Sequence, residues 1–336
     1  MSSAAEALPP ATTTTRPRSH EVRTVPIGEA MIGAPGEAVI VAPAPDGGAA
    51  AADPGADGRP DVGWITMRAP GSAGALEAAR RHWAGPLLVE PSSPADLAAI
   101  RETADGVIVG AAWTRDLVLV RASARLGLPV IVQRGPHASL GEWLATVREC
   151  EAEGNDLLVL CETGGRAHDG STAPDLGLMR AARERSGRPV LAGLGEDAGL
   201  AGAAVAAGAD GLVLAPGADG RTAAAARRTA TLVRAVTAPL DGPSRPGSVA
   251  AARAEIDRVD AALATLLERR AELAGVVQRL KPVGGFAGRD MERERRLVAA
   301  MARHAPRLGE ARLAAIMNAV IEAGLDLSEE ERRASP

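Results

Sequence analysis

The sequence predicts an α/β chain in two parts: an eight-stranded β/α barrel followed by a smaller all-α domain of three helices. Three observations carry this. Eight short runs rich in Val, Ile and Leu alternate with helical segments between about residues 25 and 240. Such runs, with no polar alternation, suit parallel strands buried on both faces, and eight β/α repeats over roughly 200 residues close a barrel. Residues 241–247 (DGPSRPG) have the Pro/Gly composition of a linker. From Ser248 the period changes, and apolar residues recur every three or four positions as far as Lys281.

Taken in order, residues 1–24 lack an apolar signal core and read as a disordered tail. The strand candidates are 38–43, 64–69, 86–91, 106–111, 129–134, 157–162, 189–194 and 211–216. Helical patterns lie between most of them, among them 75–82, 94–103, 140–153, 175–186 and 200–207. The first crossover, 44–63, is mostly Ala, Asp, Gly and Pro and reads as a loop or insert.

Composition narrows the function. A net charge of −4 gives no electrostatic reason to expect nucleic acid. No apolar run is long enough to cross a membrane. Two cysteines, Cys150 and Cys161, suit a reducing, cytoplasmic compartment rather than a disulfide framework. With one Phe, four Trp and no Tyr, the core must be built from Ala, Leu and Val.

In a β/α barrel, chemistry gathers at the C-terminal ends of the strands. Here those ends supply Arg68, Glu90, Gln133, Arg134, Glu162 and Thr163, with no histidine among them. Arg68, Glu90, Arg134 and Glu162 read first as fold residues paired at the mouth. The alternative is a pocket for a small regulatory ligand, such as an aromatic amino acid or a pathway acid.

Four stretches resemble the DAHP synthases, metal-dependent enzymes that condense phosphoenolpyruvate with a sugar phosphate. They are Ala104-Asp105-Gly106 to Gly110-Ala111, Pro129-Val130-x-x-x-Arg134-Gly135, Gly154-Asn155 to Leu160-Cys161-Glu162, and Ala206-Ala207-Gly208-Ala209-Asp210-Gly211. The likeness spans residues 25–240, but the functional positions do not carry over. Ala44, Glu196 and Ala215 stand where the family has its metal-binding Cys, His and Glu. Gln133, Thr163 and Ala112 replace a lysine and two arginines, and Ala69-Pro70-Gly71-Ser72 replaces a Lys-Pro-Arg-Thr loop. That condensation needs a Lewis acid and several cations against two phosphates. The resemblance therefore implies a degenerate barrel with no metal and no cofactor.

Residues 248–281 form one long helical pattern, with Ser248 as N-cap and Lys281-Pro282 as the stop. Ile256, Val259, Leu263, Leu266, Leu267, Leu273, Val276, Val277 and Leu280 make one apolar stripe. At ~1.5 Å per residue the helix spans about 50 Å, too long for a domain of this size to cover from within, so a second copy must bury the excess. Eleven residues separate Arg270 from Lys281, which puts them within about 20° on one face, three turns apart. Arg253 lies seventeen residues before Arg270, about 25 Å away and roughly 100° out of phase. A Gly-rich turn then leads to a second helix, to about residue 303, and a third spans about 310–325.

Arg253-x-x-Ile256-x-x-x-Asp260, Leu266-Leu267-x-x-Arg270, Lys281 and the box Arg289-Asp290-x-x-Arg293-Glu294 resemble the all-helical chorismate mutases over residues 248–330. The resemblance implies a homodimer that converts chorismate to prephenate. It assigns Arg270 and the partner chain's Arg253 to the substrate carboxylates and Lys281 to the ether oxygen. Asp290 and Glu294 fall at the ring-hydroxyl end, with Arg293 beside them. On the third helix, Gly324 replaces the family's serine. Ser328, or Glu329 one step on, stands where the family has a glutamine or glutamate facing the ether oxygen. A non-catalytic regulatory partner, a bifunctional synthase–mutase, and an enzyme for isochorismate or an amino analogue are the alternatives.

Overall fold

A computed structural model describes residues 22–34, 38–44, 58–68, 74–166, 172–195, 197–237, 246–281 and 285–334. The expected tail up to residue 21, most of the first crossover, Glu196 and most of the linker lie outside the described residues. The chain divides into two compact units, Met1–Ala251 and Ala252–Pro336.

The first unit opens with a hairpin, β1 (Val25–Ile27) and β2 (Ala30–Ile32). Then come β3 (Val39–Pro43), β4 (Val62–Thr66), α1 (Ala75–His82), β5 (Leu87–Glu90), α2 (Leu97–Thr103), β6 (Gly106–Val109) and α3 (Leu117–Ala124). They are followed by β7 (Val130–Gln133), α4 (Leu140–Ala152), β8 (Leu158–Glu162), a two-residue pair β9 (Gly165–Arg166) and β10 (Thr172–Ala173), and α5 (Leu176–Ser186). The last elements are β11 (Val190–Gly193), α6 (Ala201–Ala206), β12 (Gly211–Val213) and α7 (Gly220–Thr237). Parallel strands close a barrel in the order β11-β12-β3-β4-β5-β6-β7-β8.

Alternation along each strand divides the apolar residues between two layers. Val39, Val41, Leu88, Ile108, Ile131, Val159 and Leu191 fill the lumen together with Val25, Ile27 and Ile32 of the hairpin. Ile40, Val89, Val107, Val132, Leu160 and Ala192 face outward and pack under the helices. The hairpin was not legible in the sequence, because three-residue strands are too short to show a period. Gly28, at φ +55°, sits where a Cβ would lie 3.0 Å from Pro86, and Gly33 packs against Pro189. Pro86 and Pro189 precede β5 and β11, so the hairpin closes the N-terminal end of the barrel.

One strand is displaced from its apolar run. β4 begins at Val62 rather than Trp64, because Asp61 anchors the entry: its carboxylate accepts the Ile40 N–H at 2.7 Å and an Arg227 N–H at 3.0 Å. Trp64 thereby becomes an inward position and packs against the lumen cluster.

The second unit is built from α8 (Val249–Leu280), whose first three residues precede the division, α9 (Met291–Ala302) and α10 (Gly309–Ala334). Ser248 Oγ accepts the Ala251 N–H at 3.1 Å and starts α8. The core is built from the other two helices: Val298, Leu313 and Met317, with Leu297, Met301 and Val320 around them. The stripe of α8 stays open, with Ile256 57%, Leu263 50%, Leu266 54% and Leu273 50% exposed. α10 runs nine residues past the expected end at Leu325. Gly324 does not break it, being buried against Arg270 and Ala274, and Glu329 pairs with Arg332 and Arg333 at i+3 and i+4 to support the last turns.

Candidate active site

Arg270 and Lys281 share a face of α8 and line one cavity of about 310 Å³. Asp290, Arg293 and Glu294 enter the same cavity from the start of α9, while α10 contributes Ile321, Gly324 and Leu325. Of the seven residues singled out by sequence, five therefore meet in one place. Arg253 is exposed near the other end of α8 and Ser328 is buried within α10; neither lines this cavity.

Local chemistry fixes each side chain. Arg270 Nη1 donates to the Val320 carbonyl at 3.3 Å and passes Gly324, where a Cβ would make only ordinary contact with it at 3.7 Å. Lys281 Nζ donates to the Gly288 carbonyl at 2.9 Å. Asp290 is the N-cap of α9, accepting the Arg293 N–H at 2.9 Å. That hydrogen bond holds its carboxyl below the ordinary carboxylate value.

Two lining residues had been given no role. Arg289 forms a two-pronged pair with Glu294, at 3.1 and 2.7 Å, and reaches Glu322 at 3.3 Å and Asn318 at 2.8 Å on α10. The hydrogen bond to Glu294 raises the Arg289 guanidinium above its ordinary value. Gln278 accepts the Gly285 N–H at 2.8 Å. Arg289 opens the Arg-Asp box of the sequence, but only the fold shows that it donates to two acids, Glu294 and Glu322, and to the Asn318 amide oxygen. Among the described lining residues, Arg270, Lys281 and Arg293 are cations with capacity for an anionic guest, and none is a Ser or Cys.

The barrel mouth is arranged differently. Arg134 and Glu162, buried in the fold, pair through Nη2 and Oε1 at 2.7 Å and through a second, shorter contact. Arg134 also donates to the Gly135 and Ala138 carbonyls, both at 3.2 Å, and Glu162 accepts the Gly164 N–H at 2.8 Å. Gln133 Oε1 accepts the Ala111 N–H at 3.0 Å. Arg68 pairs with Glu90 at 3.2 Å and stacks 5.3 Å from the Trp113 ring centre. Glu90 lies over Gly110, where any Cβ would collide with its Oε1. A separate cavity of about 320 Å³ lies on the outer side of the barrel, with Arg115, Leu117, Trp143 and Thr146 in its lining.

A closed parallel barrel and a helical unit with a cationic cavity define the architecture. Residues 252–329 match the family described as chorismate mutase type II, and residues 74–192 match the DAHP synthetase I family. Curated relatives include the 2-dehydro-3-deoxyphosphooctonate aldolases of Hahella chejuensis, 32% identical over 89 residues, and Pseudomonas fluorescens, 28% identical over 89 residues. Each alignment covers 26% of this chain and 32% of the relative, so the chain spans about a third of their length. Among solved structures, a Thermotoga maritima DAHP synthase has a TM-score of 0.48 at 21% identity, covering 57% of this chain and 64% of that one. A truncated 3-deoxy-D-arabino-heptulosonate 7-phosphate synthase from the same organism has a TM-score of 0.49 at 22% identity, covering 60% and 86%.

Proposed function

We propose that the helical unit is a chorismate mutase of the shikimate pathway, converting chorismate to prephenate in a homodimeric cytoplasmic protein. The observation that carries this reading is the convergence of Arg270, Lys281, Arg293, Asp290 and Glu294 on one cavity. Chorismate is a flexible dicarboxylate, and its rearrangement is pericyclic: a C–O bond breaks as a C–C bond forms, with no proton or electron exchanged with the protein. Catalysis then consists of holding the reactive conformer and stabilising the charge that builds on the departing oxygen. Arg270 grips a carboxylate, Lys281 faces the ether oxygen, and the Asp290–Glu294 end takes the ring hydroxyl. Charge-assisted hydrogen bonds contribute ~1.5–3 kcal/mol each, so three or four that tighten in the transition state supply roughly 8 kcal/mol.

A second copy completes the site. The α8 stripe needs a cover, and Arg253 lies too far along its own helix to reach the cavity. An antiparallel pairing of two α8 helices would bring each Arg253 to the other chain's Arg270. Ser328 we leave out of the substrate contacts, since it is buried away from the lining.

The barrel we read as non-catalytic. Ala44 and Ala215 carry no metal-binding atoms, Trp64 packs into the lumen, and Arg68, Glu90, Arg134 and Glu162 neutralise one another at the mouth. The outer cavity, with Arg115 and Leu117 in its lining, is a place on the barrel with room for a small aromatic effector. Following the full chain with chorismate by proton NMR tests the main reading: prephenate should replace chorismate, and unchanged chorismate would refute it.

A further inference from the structure

Gln278 stands three residues before Lys281 on α8 and lines the same cavity. One contact orients its amide: the Gly285 N–H donates to Gln278 Oε1 at 2.8 Å. A backbone N–H can only donate, so the oxygen must face Gly285 and the NH2 group must point the other way. That NH2 group has no partner among the described residues. Gly285 is itself held in place. Its φ of +67° suits glycine, and a Cβ would lie 2.8 Å from Glu329 Oε1 and 3.1 Å from Arg332 Nη2.

On the opposite wall α10 brings Ile321, Gly324 and Leu325, none with a polar side chain. Glu329, the other candidate on that helix, is turned to Arg333 at 3.3 Å and Arg332 at 3.8 Å. At the C-terminal end of α8, Lys281 Nζ and Gln278 Nε2 are thus the charged and the neutral donor that this helix end brings to the cavity lining.

We infer that Gln278 is a catalytic residue, donating from its amide NH2 to the ether oxygen of chorismate beside Lys281, in place of a polar side chain from α10. This rests on the chorismate reading of the cavity. As the C–O bond breaks, negative charge gathers on that oxygen, and a donor already aimed there binds the transition state more tightly than the substrate. A neutral amide keeps its proton at every working pH, so this contact does not titrate.

Gln278→Glu in the full chain separates this role from a structural one. The introduced carboxylate keeps the size and the acceptor for the Gly285 N–H, loses the donor and, at neutral pH, adds a negative charge, so the uncharged Gln278→Leu is read beside it to isolate the donor. At neutral pH, kcat should fall about 10²-fold with KM changing much less, and should recover as pH falls through the carboxyl pKa. Gln278→Leu should lose a similar factor at every pH. Wild-type kcat in Gln278→Glu at neutral pH, or a loss with no acid recovery, overturns the inference alone, provided the wild-type chain turns over chorismate. A wild-type chain inert towards chorismate overturns the mutase reading and this inference together.

Discussion

Among the described residues, Lys281 donates to the Gly288 carbonyl at 2.9 Å, which leaves two ammonium protons for a guest. If it meets the ether oxygen, Lys281→Ala removes a preorganised donor and should lower kcat ~10²–10³-fold, measured by chorismate loss under saturation. An unchanged kcat would take Lys281 out of the reaction. Asp290 sets a pH limit on stability. Its folded pKa is depressed by the Arg293 N–H, so its contribution is full above the unfolded carboxylate value and is lost as pH falls through the lowered folded one. Asp290→Asn keeps the cap without the charge and should flatten that acid-side loss in pH-dependent denaturation. The Arg270–Lys281 pair was legible because helical phase follows from spacing alone. Arg289 and Gln278 were not, since their roles depend on Asn318, Glu322 and Gly285, which only tertiary packing brings to them.

At the level of elements, the strands showed themselves through continuous apolar runs and α8 through its period. The ends were harder. Asp61 moved the start of β4, and a buried Gly324 let α10 continue where an isolated glycine in a sequence suggests a stop. The mouth pair between β7 and β8 is a fold device. Glu162 is fully buried, and Glu162→Ala would strand the Arg134 guanidinium without its carboxylate. Breaking such a pair costs about 3–5 kcal/mol, so the barrel's chemical-denaturation midpoint should drop sharply while chorismate turnover is retained. Equal stability would mean the pair is not holding the mouth.

The chain joins a parallel barrel, matched in part by the DAHP synthetase I family, to a helical unit matched by chorismate mutase type II. The full chain should form no DAHP from phosphoenolpyruvate and erythrose 4-phosphate with any divalent metal, because Ala44 and Ala215 supply no ligand atoms and the mouth cations are already paired. Metal-dependent synthesis would reverse that reading of the barrel. Complementation between two damaged chains tests the proposed sharing of one mutase site by two protomers. Arg253→Ala and Arg270→Ala should each be nearly inactive alone. Co-expressed, they should give about half heterodimers, each with one intact and one doubly damaged site, and roughly a quarter of wild-type turnover should return. A mixture no more active than the better single variant, with heterodimer confirmed by mass, would contradict the shared site.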